Sequence, residues 1–522
     1  MDPKTWAADE VRRYLSDGID ASDTEGASGT GKRAMVLGST GPFAQLAGRR
    51  ALEAGGSAVD AVIATSLAQI ALAAGSWVSY AGVFVLVHCQ AGRTDSLSAG
   101  FATFAEEDDP ASIPRAPEPS GRTALVPGFM AGVAAAHERF GVLPWPDLFQ
   151  PAIHVAEQGF PVGLVRERQF AMRADVLPES FRAKRGELFR QPELAETLRG
   201  VAAEGADWMY RGPWAREFVD VVRAAGGKAT LSDLDTYEPV WSEPLRVRFH
   251  GHEVHTGSKS LVQALRAAEG VGDPLTDPQA LYELIGISRQ STRPGSHSDF
   301  VLAVDAEGNV AAACHSINTS LWGCTGLFAG GVSIPDAASF QQQVLAGLGP
   351  GQHVPFPANP AIVLRGGRPV LASSSIGAGL HCATLQCLHA VLGLGVPVDE
   401  VVRRPLFHGP DYLAGDTVNT PLEDRIKGKR VGSTWQQALA RARESGVPQE
   451  QAWDAVMAAI PQVIEDRFDP EVVRRTEELG QRLSVRPITE RTIPRGFWGG
   501  IGIGDRLTGG RTPFSGGRIE GI

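Results

Sequence analysis

The stretch GSHSDFVLAVDAEGNVAAACHSINTS, residues Gly295 to Ser320, decides the fold. A short polar loop leads into an alternating apolar segment, Asp299 to Ile317, which the polar run Asp305 to Asn309 interrupts. Alternation with a Gly-containing break is typical of two antiparallel strands joined by a hairpin turn. The sequence therefore predicts a buried β-hairpin whose first strand opens near Ser298.

The part of the chain before this hairpin is predicted to be mostly helical. No acidic or basic residue occurs between Asp60 and Arg93, so a membrane span is an alternative. Polar and small residues interrupt the stretch, and we expect a buried Ala-rich helix over about 57–74 and a buried strand over 82–89 instead. Amphipathic patterns predict three more helices, at 42–54, 128–140 and 145–158.

Further strand pairs flank the hairpin in the sequence. Residues Pro244 to Thr256 form two short apolar runs around a Gly, and Ala361 to Ser375 form a second candidate hairpin, followed by an apolar helix from His381. Helices, then strand pairs, then helices again favour stacked sheets covered by helices.

Composition places the chain among globular proteins. Its 522 residues are 43% hydrophobic and 21% charged, with a net charge of −10, which gives a nucleic-acid partner no electrostatic support. The five cysteines include no CxxC, and the N-terminal residues MDPKTWAADEVRRYL are charged where a signal peptide is apolar. We therefore expect a cytoplasmic protein with no disulfide framework and no membrane partner.

Two motifs are weakened by their context. Gly26 to Lys32 has P-loop spacing, but Arg33 replaces the Ser or Thr that would hold magnesium, so residues 1–33 are predicted to be a helix followed by a linker. Potential metal ligands occur close together at His381, Cys382, Cys387 and His389. Their spacing directs the side chains around a helix rather than to one centre, so neither a metal nor another cofactor is predicted.

From about Ala34 to its C-terminus, the chain resembles the γ-glutamyltranspeptidase family of N-terminal-nucleophile hydrolases. Five blocks carry the resemblance, in the family's order: Gly55-Gly-Ser-Ala-Val-Asp60-Ala; Val126-Pro-Gly128 with Gly132; Leu143-Pro-Trp145 to Gly159-Phe-Pro161-Val; Asp233-Leu234 with Tyr237-Glu-Pro239 and Pro244-Leu245; and Val304-Asp305-Ala-Glu-Gly308-Asn309. The resemblance implies the α+β class, as a four-layer αββα sandwich. It also implies a large-subunit part, 34–297, and a small-subunit part, 298–522, forming one intertwined unit after self-cleavage.

The resemblance places the nucleophile at Ser298, where the family has Thr. A cut between His297 and Ser298 would free an α-amine, with an unperturbed pKa of about 8, to act as the base. Asp299 follows the nucleophile, where the family often has Thr or Ser, and we expect it to border the substrate. The resemblance further assigns Ser316 and Asn318 to the second strand beside the nucleophile, and the backbone N–H groups of Gly377 and Ala378 to the oxyanion hole.

The recognition residues of the family are not retained. The Arg that grips the substrate α-carboxylate aligns near Gly100, beside Phe101, and the paired Ser residues align near Phe356 and Pro357. The Asp that binds the α-amino group aligns near Ala338, with Asp336 out of register. Glutathione is therefore an unexpected substrate, and an apolar wall for a ring is predicted at Phe101 and Phe356.

The first functional hypothesis is a self-processing hydrolase or acyltransferase, made as a zymogen, which attacks a small non-glutathione carbonyl compound. Cleavage of an amide and of a carbon–carbon bond beside a carbonyl, as in antibiotic-pathway homologues, both stay open. The alternatives are a γ-glutamyltransferase or glutathione hydrolase with a rebuilt pocket and a non-catalytic scaffold. The expected partners are the substrate, the two fragments of the chain itself and, as an open alternative, a second copy of the chain.

Overall fold

The computed structural model describes residues 1–16, 25–116, 118–291, 298–319, 321–411, 460–489 and 495–522. Two seven-stranded sheets pack face to face, and helices cover both outer faces. The predicted α+β class and the αββα sandwich are thus confirmed.

The first sheet carries the hairpin that opens at Ser298. In spatial order its strands are β21 (Ile519–Gly521), β2 (Met35–Gly38), β10 (Ser298–Val304), β11 (Val310–Ser316), β3 (Val83–Gln90), β4 (Arg93–Ala99) and β7 (Val240–Ser242). All of these neighbours pair in antiparallel fashion.

The second sheet is also antiparallel throughout. Its order is β1 (Ala27–Gly31), β20 (Leu507–Arg511), β19 (Phe497–Ile503), β15 (Arg368–Ile376), β14 (Ala361–Arg365), β9 (His252–Thr256) and β8 (Leu245–Phe249). Smaller sheets hold β5 (Phe160–Pro161), β6 (Leu188–Phe189), β12 (Phe328–Ala329), β13 (Val332–Ser333), β16 (Phe407–Pro410), β17 (Gln462–Glu465) and β18 (Leu483–Arg486).

The helices fall into two groups along the chain. Those before β8 are α1 (Ala8–Ser16), α2 (Pro42–Glu53), α3 (Ala58–Leu72), α4 (Phe129–Phe140), α5 (Trp145–Gln158), α6 (Leu164–Met172), α7 (Pro192–Glu204), α8 (Asp207–Tyr210), α9 (Pro213–Ala224) and α10 (Leu231–Asp235). Those after β9 are α11 (Lys259–Ala267), α12 (Pro278–Ser291), α13 (Gln342–Ala346), α14 (Leu380–Leu388), α15 (Val398–Val401) and α16 (Pro470–Glu478).

Side-chain alternation in β10 separates two apolar cores. Phe300 and Leu302 face the second sheet and pack with its Ile362 and Ile501. The residues between them, such as Val301, face the other way and pack under α2 to α5. A strand buried on both faces favours apolar residues at successive positions, and this explains the near-continuous run FVLAV.

The turn of the hairpin is tied to the helical layer. The Asp305 carboxylate accepts hydrogen bonds from the backbone N–H groups of Asn309 (2.8 Å) and of Ala58 (3.0 Å), the first residue of α3. Ser57 and Asp60 form a capping box at the same helix end. Asp60 and Asp305, two residues that carry the family resemblance, are therefore structural anchors.

The predicted helices and hairpins agree with the structure. The Ala-rich segment forms α3, which is buried along its whole length, and the candidate hairpins form the pairs β10–β11 and β14–β15. Within the described residues, no helix combines the length and apolar character that a membrane crossing needs.

The predicted N-terminal linker is wrong over residues 27–31, because this stretch forms β1 and pairs along its length with β20. Its sequence, ASGTG, lacks the apolar alternation that marks a half-buried strand. Backbone hydrogen bonds suffice for an edge strand, and a Cβ on Gly31 would lie 2.7 Å from the Ala34 carbonyl oxygen. Residues 17–24 lie outside the described residues.

Strands from the two sides of residue 298 alternate in both sheets. In the first sheet, β10 and β11 lie between β2 and β3, and in the second, β14, β15, β19 and β20 lie between β1 and β9. The division into parts 34–297 and 298–522 stays a prediction, since His297 lies outside the described residues.

Candidate active site

The Ser298 side chain lies at the entrance of β10, buried between the two sheets. Its residue is 6% exposed and pairs directly with Ser316 of β11. The Ser298 hydroxyl donates a hydrogen bond to Oγ of Ser316, with a distance of 3.0 Å. The structure thus brings the first two predicted catalytic residues together.

Asn318 follows immediately after β11. Its backbone φ of 54° lies in the left-handed region, which Asn tolerates better than most residues. Its backbone N–H donates to Oγ of Ser316 at 2.8 Å. Ser298, Ser316 and Asn318 therefore form one continuous hydrogen-bonded group.

A thiol completes the surroundings of the Ser298 hydroxyl. Cys314 lies two residues before Ser316 on the same face of β11, and its Sγ is within hydrogen-bonding reach of the Ser298 side chain. Burial raises the pKa of this thiol, so it is present as the neutral form at neutral pH.

Asp299 does not border the substrate side, and this prediction is wrong. Successive side chains of a strand point to opposite faces, so the residue after Ser298 faces the helical layer. Its carboxylate is fully buried and accepts hydrogen bonds from Ser39 Oγ (2.5 Å), Thr40 Oγ1 (2.9 Å) and Trp77 Nε1 (2.8 Å). Asp299 therefore anchors β10 to the helical layer.

Burial shifts the pKa values of Asp299 and His315, which share the face of the sheet that packs against the helices, in opposite directions. Burial raises the pKa of Asp299 to about 6, against the hydrogen bonds from Ser39, Trp77 and Thr40 and the charge of Arg166, which lower it. His315 lies directly opposite Asp299 on β11, and burial lowers its pKa to about 3. Near neutral pH, the pair is therefore a buried carboxylate beside a neutral imidazole.

Gly377 begins the turn between β15 and α14. Its φ of 87° strains any residue with a side chain, and a Cβ there would lie 2.6 Å from the carbonyl oxygen of Arg495. That same carbonyl accepts the N–H of Gly379 at 2.9 Å. Ile376 packs in the inter-sheet core with Phe300 and Cys314, so Gly377 and Ala378 follow directly on the end of β15 that adjoins the Ser298 end of β10.

Gly100 offers no room for the family's Arg. A Cβ built on Gly100 would lie 2.8 Å from the carbonyl oxygen of Val354. The carbonyl of Gly100 itself accepts a hydrogen bond from the Tyr237 hydroxyl, which fixes this backbone against α4. The position is therefore filled by backbone rather than by an anion-binding side chain.

The carboxylate closest in sequence to the family's amine-binding Asp is already engaged. Asp336 is 1% exposed and accepts hydrogen bonds from the hydroxyls of Thr319 and Ser339. Ala338 lies instead in an apolar cluster with Phe101 and Val83.

Phe356 and Pro357 differ in their surroundings. Phe356 is half-buried and packs both on the cluster that contains Phe101 and on the inter-sheet core that contains Phe300. Pro357 is exposed. The structure therefore joins Phe101, Ala338 and Phe356 in one apolar region and leaves Pro357 at the surface.

Sequence reasoning missed several contributors. Val83, Val354 and the Arg495 carbonyl act through register or backbone position, which leave no motif. The orientation of Asp299 can be predicted from the sequence, because side chains alternate along a strand and those of Asp299 and Ser298 must lie on opposite faces.

Comparisons with known proteins agree with the predicted family. The family model for gamma-glutamyltranspeptidase matches residues 44–265. A glutathione hydrolase proenzyme of Pseudomonas aeruginosa is 31% identical over 46% of this chain and 47% of its own length. An acylase ACY 1 proenzyme of Pseudomonas sp. is 32% identical over 43% of this chain and 44% of its own. These matches thus span less than half the length of either relative.

The fold is also that of a solved structure. Cephalosporin acylase from Bacillus halodurans superposes with a TM-score of 0.75 over 95% of this chain and 97% of the other, at 18% identity. This likeness shows the fold alone. The family-model match ends before Ser298, so the roles of Ser298, Ser316, Asn318, Gly377 and Ala378 rest on the sequence motifs and the geometry above.

Proposed function

We propose that this chain, which is similar to gamma-glutamyltranspeptidases over residues 44–265, is a self-processing amide hydrolase with Ser298 as nucleophile. One observation carries the proposal: the Ser298 hydroxyl stands at a strand entrance, 3.0 Å from Oγ of Ser316. Two relatives are named as proenzymes, which supports self-processing. The relative named an acylase favours amide cleavage over carbon–carbon cleavage.

Processing would begin with attack of the Ser298 hydroxyl on the preceding carbonyl carbon. The C–N bond to Ser298 breaks, the acyl group moves to Oγ as an ester, and water then hydrolyses this ester. The products are fragments 1–297 and 298–522, the second with a free α-amine at Ser298.

The same hydroxyl then attacks substrate. The α-amine accepts the proton of Oγ, the new C–O bond gives a tetrahedral oxyanion, and the N–H groups of Gly377 and Ala378 are the proposed donors to it. Collapse expels the amine, which takes the proton from the α-ammonium. Water hydrolyses the acyl-Ser298 ester and restores the enzyme.

A γ-glutamyl group does not suit this site. A Cβ at Gly100 would lie 2.8 Å from the Val354 carbonyl oxygen, and the Asp336 carboxylate accepts hydrogen bonds from two hydroxyl groups. Losing one partner of a buried charge pair costs about 2–5 kcal/mol. We therefore propose a non-glutathione substrate, with very weak turnover of γ-glutamyl-p-nitroanilide.

Intact-mass spectrometry of the purified protein tests the proposal. We expect masses for fragments 1–297 and 298–522, and the uncut chain of 55.3 kDa for Ser298→Ala. Ser515→Ala is the matched control and should still be cut, because Ser515 is also a buried serine but its hydroxyl donates to the Ser39 carbonyl. An uncut wild-type chain would support a non-catalytic scaffold, and cleavage in Ser298→Ala would show another nucleophile.

A kinetic assay tests the proposed substrate choice. Robust turnover of γ-glutamyl-p-nitroanilide that depends on Ser298 would favour the γ-glutamyltransferase or glutathione hydrolase alternative.

A further inference from the structure

A row of residues leads from the nucleophile across the first sheet. Ser298 pairs with Ser316, and Ser316 pairs with Val83 of β3. Residues directly opposite in antiparallel strands share a face of the sheet. Since neighbouring strands lie about 4.8 Å apart, Val83 stands about 10 Å from Ser298, within the length of a short acyl chain.

The row ends in an apolar cluster. Val83 packs with Phe101, Leu125, Ala338 and Val354, none of which is more than 5% exposed. Phe356 packs on their outer side and is only half-buried. Phe356 is thus the aromatic side chain through which this cluster meets the nucleophile's side of the sheet.

None of these six side chains is ionisable, and the positions where the family resemblance places charged groups cannot supply them here. Gly100 faces the Val354 carbonyl oxygen, and Asp336 is hydrogen-bonded to Thr319 and Ser339. An acyl group with a carboxylate or an ammonium would lose its hydration here without gaining an ionic partner. An uncharged hydrocarbon group loses nothing of this kind.

Resting on the proposed function, we infer that the acyl part of the substrate is uncharged and apolar, an aliphatic or arylacetyl group, and that Phe356 determines this specificity. Each methylene buried against the cluster raises kcat/KM about fourfold. Phe356 acts on binding of the acyl group and leaves the attack by Ser298 unchanged.

Kinetics with a panel of p-nitroanilides test the inference. With processed protein, kcat/KM should rise about tenfold or more from acetyl to butyryl and again to hexanoyl. Glutaryl- and γ-glutamyl-p-nitroanilide, which are of similar length but charged, should be at least 30-fold poorer than hexanoyl. Phenylacetyl-p-nitroanilide should behave like the hexanoyl compound.

The variant Phe356→Ser assigns the effect to one side chain. It should raise KM for the hexanoyl compound about tenfold and change kcat/KM for the acetyl compound less than twofold. Phe140→Ser is the matched control, because Phe140 is also half-buried but packs against His88, near the far end of β3 from Val83. The control should keep the acyl preference of the wild type.

Two results would overturn the inference while leaving the proposed function in place. The first is Ser298-dependent turnover that favours a charged acyl group, and the second is an equal loss on all substrates in Phe356→Ser. Cleaved protein that turns over no anilide would overturn the inference and the proposed hydrolase activity together. An uncut wild-type chain would do the same.

Discussion

The nucleophile region and the recognition region of the site differ in how far they follow the family. At the ends of β10 and β11, hydrogen bonds join the hydroxyl groups of Ser298 and Ser316 and the backbone N–H of Asn318. At the recognition positions, Gly100, Ala338 and Phe356 carry no charge, and the surrounding side chains are packed. The difference indicates that the proposed reaction and the proposed choice of substrate would depend on separate parts of the molecule.

The largest expected effect is a loss of activity from a substitution in the turn at Gly377 and Ala378, which carries the proposed oxyanion donors. Gly377→Ala forces a Cβ to within 2.6 Å of the Arg495 carbonyl oxygen at a φ of 87°, which displaces the proposed donors. We expect kcat/KM on the best anilide to fall about 10²–10³-fold, the loss typical of one missing oxyanion donor.

Gly366→Ala is the control that distinguishes displacement of the proposed donors from the general cost of placing a side chain at a positive φ. Gly366 also has a positive φ, 57°, but a Cβ there meets no atom within 4 Å. The control should lose about 1 kcal/mol of stability in urea unfolding and keep wild-type kcat/KM. Equal kinetic losses in the two variants would argue against an oxyanion role for the turn.

Restoring the family's charged residue in the recognition region should not restore binding of a γ-glutamyl group. Gly100→Arg restores the family's residue, but its Cβ lies 2.8 Å from the Val354 carbonyl oxygen. We expect a loss of about 1–3 kcal/mol in urea unfolding, as for other overpacked sites, with no gain in γ-glutamyl-p-nitroanilide turnover. Gly286→Arg, where a Cβ meets no neighbouring atom within 4 Å, is the control and should be close to neutral. A gain in γ-glutamyl turnover by Gly100→Arg would show that the pocket adapts.

A further effect, on stability alone, concerns the face of β10 that carries Asp299. The folded-state pKa of Asp299, about 6, lies above the ordinary value of 3.8, so its contribution to stability is fully present below pH 4 and is lost as the pH rises to about 6. Two pKa units correspond to roughly 3 kcal/mol. Relative to the wild type, Asp299→Asn should therefore gain stability between pH 4 and pH 6.

Urea unfolding at pH 4, 5, 6 and 7 measures this difference, in which the contribution of His315 largely cancels. Asp505→Asn, which removes an exposed carboxylate, is the control for the loss of one negative charge. If the difference in unfolding free energy between Asp299→Asn and the wild type does not change with pH, the hydrogen bonds to Asp299 fully offset the effect of burial on its pKa.

The sequence predicts those elements whose burial requires a recognisable pattern of apolar residues. The β10–β11 hairpin follows from apolar alternation around Asp305, and α3 from an uncharged Ala-rich stretch. β1 was missed because a Gly-rich edge strand pairs through its backbone and carries no such pattern.

The site divides along the same line. Ser298 and Ser316 were predicted to meet and do so, because register in the hairpin brings them together. The closure of Gly100 depends on a carbonyl oxygen more than 250 residues away in the chain, at Val354. Backbone atoms are the same in every residue, so no motif could report it.

The interleaved strand order has a consequence for the life of the protein after the proposed cut. In the first sheet each fragment would hold a strand that lies between strands of the other, and in the second sheet the strands of fragment 298–522 would lie between β1 and β9 of fragment 1–297, so neither fragment can keep a complete sheet alone. The uncut chain folds as one molecule, at a rate independent of its concentration. Once cut and unfolded, it would have to refold by a collision of two chains, at a rate that falls with dilution. Maturation would thus make folding a step that the protein completes once.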